Sequence, residues 1–272
     1  MTETPATDLK DQVRSYWDRQ SCDTDQARSA KFSRAYFEEI ERWRYREQPF
    51  IHAFAQFTRY HGKRVLEVGF GAGTDFIQWL RAGAQATGVD LTQEALDNLS
   101  HRIAVYGLPS PHSIRVADAE NLPFDSDTFD LGYSFGVLHH TPRTERAVAE
   151  LVRVVKPGGD FKIMLYNRRS LAVFNLWAKH ALLRGRPWLG FRWALWNHME
   201  SIGTKGYTRR ELRAMLGALP LQDLQIRTEA TTIDQIAGPS VFRLLNPLHR
   251  FALRFSGNRL GFFHCITASK RA

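Results

Sequence analysis

The stretch from Arg64 to Leu91, RVLEVGFGAGTDFIQWLRAGAQATGVDL, constrains the fold more than any other part of the chain. Val65, Leu66 and Val68 form a short apolar run, as expected of a strand buried on both faces of a parallel sheet. Gly69, Gly71 and Gly73 follow within five residues, so the backbone can turn sharply and a ligand can approach the main chain closely. Phe76, Ile77, Trp79 and Leu80 then recur at helical spacing, and Gly83 offers a stop. A second strand, Ala86 to Val89, ends on Asp90. An acid about twenty residues after a glycine turn can accept the hydroxyls of a ribose. The stretch therefore reads as one βαβ nucleotide-binding unit.

The details narrow the nucleotide. A dinucleotide fold has G-x-G-x-x-G, whereas here the glycines run G-x-G-x-G and Thr74-Asp75 follows them. Glu67 precedes the first glycine, where it would repel a pyrophosphate but could hold an ammonium or a fixed network. The pattern E-x-G-x-G-x-G resembles motif I of the class I S-adenosylmethionine-dependent methyltransferases, of the small-molecule (methyltransferase-11) type. Asp118-Ala-Glu-Asn-Leu-Pro-Phe, Phe129-Asp130, Gly136-Val-Leu-His-His140 and Lys156-Pro-Gly-Gly159 stand in the order that family uses, over about residues 60–167. The resemblance implies an α/β fold with a Rossmann-like seven-stranded sheet, and S-adenosylmethionine as cofactor. It also implies cofactor contacts from Glu67, Gly69, Gly71, Gly73, Asp90, Leu91, Asp118, Ala119 and Ser134.

Taken in order, the chain predicts an N-terminal helical lid over residues 1–60. Asp8 to Gln20 and Phe32 to Arg46 are amphipathic, and Pro49 can open a third helix running to about Tyr60. The core is expected over 61–169: Thr92 caps a helix ended by Gly107, Ser113 to Val116 is a strand, and Asp118 follows its end. Phe129 to Phe135 is the fourth strand, Thr141-Pro142 begins the next helix, and Phe161 to Tyr166 is the fifth strand. Residues 170–206 read as a basic, aromatic cap insertion. Residues 207–272 complete the core, with a second insertion at about 230–260, centred on 236–255. The two insertions are expected to form one cap at the carboxyl edge of the sheet, with the last strand antiparallel as in the family.

Charge sharpens the view of the insertions. The chain has a formal net charge of +9, unevenly placed. Residues 168–213 carry ten basic side chains against Glu200 and Glu211, and residues 235–272 carry six against no acid. Something anionic is expected near them. The two cysteines, Cys22 and Cys265, supply neither a disulfide framework nor a metal cluster, so no metal is expected and a reducing, cytoplasmic compartment is. No run of eighteen apolar residues occurs, and Met1 to Lys10 lacks the apolar stretch of a signal peptide.

A sulfonium-activated methyl group needs no protein nucleophile; the acceptor must be aligned and, for a hydroxyl or acidic C–H, deprotonated. His139 and His140, at the carboxyl end of the fourth strand, are the candidate bases, with a purely structural role as the alternative for each. Tyr16, Tyr45, Tyr166 and Tyr207 are the candidate acceptor contacts. Aromatic and arginine content in the insertions suits a flat or greasy anionic acceptor, and equally a peripheral contact with the anionic inner face of a membrane. RNA is the competing anion. Against it, no nucleic-acid module is recognisable, and Ser134-Phe-Gly-Val137 stands where enzymes acting on base amino groups carry N-P-P-Y or D-P-P-Y. The expectation is methylation of a small lipid, quinone or natural-product-like acceptor, with RNA methylation and a catalytically silent cofactor binder as alternatives.

Overall fold

The computed structural model describes residues 6–235 and 246–272. Seven strands form one sheet in the order β3-β2-β1-β4-β5-β7-β6: β1 Arg64–Val68, β2 Gln85–Asp90, β3 Ser113–Val116, β4 Phe129–Phe135, β5 Val155–Tyr166, β6 Leu221–Glu229 and β7 Phe263–Lys270. The first five run parallel, and β7 inserts antiparallel between β5 and β6, as expected. β5 is longer than its apolar run, because Lys156-Pro-Gly-Gly159 lies within the strand.

Strand alternation sorts the core into two layers. Val65, Leu131, Tyr133, Met164 and Cys265 pack with α3 (Ile51–Ala55), α4 (Phe76–Arg81) and α5 (Gln93–Tyr106). Leu66, Val68, Ile163, Leu165 and Ile266 pack with α6 (Thr144–Val154) and α9 (Arg209–Gly217). Successive residues of one strand face opposite layers, which is the pattern of a sheet covered on both sides.

Caps set the helix starts. Thr92 accepts from the amide of Ala95, and the Asp18 carboxylate of α1 (Ala6–Arg19) takes the amides of Gln93 and Glu94, so α1 is tied to the start of α5. Ser33 caps α2 (Arg34–Glu47), and Thr208 with Glu211 forms a capping box on α9. Two expected helices differ. The third ends at Ala55 instead of running to Tyr60: Gln56 turns left-handed and a short 3-10 turn, Phe57–Tyr60, follows. Lys162 explains the break. Its buried ammonium donates to the carbonyls of Phe54 and Ala55 and to Gln56 Oε1 at 3.0, 2.9 and 2.8 Å, taking the acceptors a continuing helix would use. Burial pushes that ammonium down to about 8. The helix expected to begin at Thr141-Pro142 begins at Thr144, because Thr141 donates instead to Glu120.

The first insertion folds as α7 (Leu171–His180) and α8 (Phe191–His198), joined by an exposed stretch, 182–188. Of the second, residues 236–245 lie outside the described residues; the remainder forms α10 (Asn246–Phe255). His249 of α10 meets Asn175 of α7 at 3.2 Å, so the two insertions touch. Asp234 secures their roots, accepting from the amides of Ala172 and Phe262. No helix among the described residues is long and apolar enough to cross a membrane.

Candidate active site

A cavity of about 220 Å³ opens at the carboxyl ends of β1, β2, β4 and β5, where an open α/β sheet places its ligands. Its wall includes Glu67, Gly69, Gly71, Asp90, Leu91, Asp118, Ala119, His140 and Tyr166. The glycine loop depends on two of its glycines for packing. A Cβ on Gly69 would stand 2.2 Å from Val137 Cγ2, and one on Gly73 would stand 2.7 Å from Leu99 Cδ1. Gly73 is thus a helix-packing residue and does not line the cavity. Behind the loop, the buried Arg102 donates to the carbonyl of Ala72 and to Thr74 Oγ1.

Asp90 is held ready. Its Oδ2 accepts from the Gly71 amide at 3.0 Å, and its Oδ1 takes both the amide and hydroxyl of Thr92. The Leu91 amide also bonds this carboxylate, so a ribose hydroxyl would share an oxygen that the loop already holds. Losing a charge-assisted contact of this kind costs about 2 kcal/mol, roughly thirtyfold in affinity. Titration calorimetry of Asp90→Ala against S-adenosylmethionine is expected to show that loss; unchanged affinity would remove Asp90 from the site.

Asp118 follows β3 and accepts from Lys10 of α1 at 2.6 Å. Lys10 also reaches Glu120, at 3.2 Å. Burial pushes the Glu120 carboxyl up, but bonds from Thr141, the Arg143 amide and Lys10 outweigh it and hold the group down at about 2. Lys10, Val13 and Trp17 therefore lean into the cavity, which is smaller than the ~300–1,000 Å³ usual for ligand pockets. Amide exchange across residues 8–47 is expected to slow when cofactor binds under α1. Equal exchange with and without cofactor would show that these helices do not act as a lid.

The floor holds a buried charge network. Arg44 of α2 forks onto Asp75 at 3.1 and 2.8 Å and reaches Asp23 at 3.2 Å. Tyr133 and Tyr45 also donate to Asp75. Glu67 accepts from Trp79 Nε1 at 2.7 Å, and burial, with the Asp75 charge beside it, pushes its carboxyl well up.

The two histidines part company. His139 is fully buried, with its ring 3.8 Å from that of Tyr166, and it does not line the cavity. Burial first, then the neighbouring His140 and Lys205 charges, push it well below the ordinary histidine value, so it is a neutral packing residue. His140 does face the cavity. Its Nδ1 lies 3.0 Å from both Thr204 Oγ1 and Ser201 Oγ, and its Nε2 lies 3.3 Å from Glu200 Oε2. That same oxygen accepts from Tyr166 at 2.9 Å. Glu200 sits in the left-handed region at φ +53°, a conformation costing a non-glycine residue about 1–2 kcal/mol.

The remaining candidates are placed as follows. Tyr166 lines the cavity. Tyr16 does not; its neighbour Trp17 does, edge-on to His140 at 5.3 Å. Tyr45 is spent on Asp75 and the Thr74 carbonyl, and Tyr207 packs in the α6–α9 layer. Ser134 is fully buried, its hydroxyl tying β4 to the Val68 carbonyl. Among the described residues, donor atoms of His139, His140 and Glu200 come within 4.8 Å of one another, the one such grouping. Within this grouping, His140 and Glu200 are the pair that faces the cavity. Glu200, Lys10 and Arg44 do not stand out in the sequence as site residues, whereas Trp17 is among the N-terminal aromatics expected to cover the cofactor mouth. For Glu200 a signal existed: it is the sole acid between Asp160 and Glu211.

A family model described as a methyltransferase domain matches residues 66–163, the span that carries the glycine loop, Asp90, Asp118 and His140. Residues 66–163 are a class I, S-adenosylmethionine-dependent methyltransferase domain. Over 102 residues the chain is 40% identical to phthiotriol/phenolphthiotriol dimycocerosates methyltransferase of Mycobacterium tuberculosis, covering 37% of this chain and 36% of that one. It is 34% identical over 109 residues to phosphatidylethanolamine N-methyltransferase of Cereibacter sphaeroides, covering 40% and 53%. The chain thus matches about a third to a half of these relatives' lengths. Magnesium protoporphyrin IX methyltransferase from Synechocystis has the same fold, with a TM-score of 0.62 at 15% identity over 97% of this chain and 100% of that one. The methyltransferase domain fits its cofactor on chemistry: the Asp90 and Asp118 carboxylates, Ala119, and Gly69 and Gly71 of the glycine loop all line one cavity.

Proposed function

We propose that this protein transfers a methyl group from S-adenosylmethionine to a hydrophobic, lipid-like small molecule, with His140 and Glu200 taking the acceptor's proton. The observation that carries the reading is the His140–Glu200 contact on the cavity wall. The bound cofactor supplies a methyl group already activated by its sulfonium. Everything else falls to the chain. The carboxylate of Asp90 orients the ribose, while Asp118 and Ala119 bracket the base.

Thr204 donates its own hydroxyl proton to the Ser201 carbonyl, so towards His140 Nδ1 it can only accept. An imidazolium would then be satisfied at both nitrogens, by Thr204 at Nδ1 and by Glu200 at Nε2. Thr204 and Glu200 thus fix the orientation of the His140 ring at the cavity wall, as a general base requires. The apolar wall (Val13, Trp17, Val137, Met164, Phe263) suits a greasy acceptor, and the named relatives that act on lipids support that class.

Incubating the protein with methyl-labelled S-adenosylmethionine and separate lipid, polar-metabolite and RNA fractions tests the reading. Label is expected in the solvent-extractable lipid fraction. Label in RNA alone, or in no fraction, would overturn it.

A further inference from the structure

Nine of the ten exposed large apolar side chains among the described residues lie in the two insertions, Val116 being the exception, and the most exposed of them are Leu183, Trp188, Leu248, Phe251 and Phe255. On α10 they are ordered. Leu248, Phe251 and Phe255 recur at i, i+3 and i+7 on the outer side, with the Phe251 and Phe255 rings stacked at 6.0 Å. Arg250 and Arg254 form the adjoining exposed stripe, and His249 and Leu253 face inward. A helix that only packed would turn its phenylalanines in; this one turns them out, Phe255 being 85% exposed. The stretch 182–188, LLRGRPW, repeats the chemistry on the neighbouring insertion, exposed throughout with Trp188 at 75%. Neither segment contains an acid.

We propose that α10 and the 182–188 tip dock the protein on an anionic lipid bilayer. Apolar and aromatic side chains beside arginine are what an interfacial segment presents to acyl chains and phosphate headgroups. Charge argues against a second copy as the occupant, since a symmetric contact would oppose arginine to arginine. The docking surface stands apart from the methyl-transfer reading; only its use, drawing a membrane-dissolved acceptor to the cavity, rests on that reading.

Co-sedimentation of the full chain with phosphatidylcholine vesicles, alone or mixed with phosphatidylglycerol, provides the test. Binding to the anionic vesicles is expected to be at least about tenfold stronger at low salt, and to fall as ionic strength rises. Phe251→Glu with Phe255→Glu, and separately Leu183→Glu with Trp188→Glu, should each weaken it at least about tenfold. These side chains are exposed, and calorimetry with S-adenosylmethionine on the same variants should show unchanged cofactor affinity, which separates lost docking from lost folding. No binding to anionic vesicles at low salt, or glutamate variants that bind as the parent does, would overturn the proposal. So would sedimentation velocity showing a parent dimer that those substitutions dissolve. Strong vesicle binding without any methyl transfer would leave docking standing and remove the reading above it.

Discussion

Replacing His140 with alanine is expected to lower turnover by about 10²–10⁴-fold, the usual contribution of a positioned general base, while leaving cofactor affinity within a few-fold. The expectation follows from its place on the cavity wall, with Nδ1 fixed by Thr204 and Ser201 and Nε2 against Glu200. Its neighbour provides the internal control. His139 does not line this cavity, so His139→Asn should act through packing and stability rather than on the chemical step. Single-turnover rates on the acceptor identified by label transfer, with cofactor binding measured alongside, separate the two. Wild-type turnover in His140→Ala would reduce that residue to shaping the pocket.

Arg44→Met is expected to destabilise the fold by about 3–5 kcal/mol, because it strands the buried Asp75 carboxylate and the half-buried Asp23 without their common partner. For a chain of this size that corresponds to a fall of roughly 6–20 °C in melting temperature. The pH dependence identifies the cause. Burial pushes Asp75 up, but the Arg44 guanidinium and the hydroxyls of Tyr133 and Tyr45 outweigh it and hold the carboxyl below the usual range. A depressed carboxyl contributes stability above its unfolded-state value, about 3.9, and that stability is lost as pH falls through the lower folded value. Without Arg44, burial and Glu67 dominate, Asp75 rises, and keeping it charged becomes costly at neutral pH. The penalty should therefore be largest near pH 7 and shrink toward pH 4. Denaturant melts giving equal penalties at both values would point to lost packing against Phe135 instead.

Much of the core was legible because its signals are local. A buried strand, a glycine turn and a terminal acid lie within one stretch of sequence, and the sheet follows once that unit repeats. The misread positions are those decided by partners far along the chain. Lys162, more than a hundred residues away, breaks the third helix, and Glu120 draws Thr141 away from the helix start. His139 and His140 could not be told apart in sequence, since both lie in the turn after β4 and both are buried; what separates them is that His139 stacks on Tyr166 while His140 lines the cavity. Tyr45 and Tyr207 have the composition of pocket residues, but their surroundings assign them to a charge network and a core layer.

The pair proposed to take the acceptor's proton straddles the edge of the matched methyltransferase domain. His140 comes from the methyltransferase domain and Glu200 from the insertion, and the strained backbone at Glu200 is sustained by contacts that cross between them, such as the Lys205 amide on the His139 carbonyl. A lineage, or an engineer, that exchanged this insertion to admit a new acceptor would remove half of the base in the same step. On the proposed reading, acceptor choice and reactivity are inherited together here, and a transplanted cap would have to bring its own carboxylate to this spot before the borrowed domain could turn over.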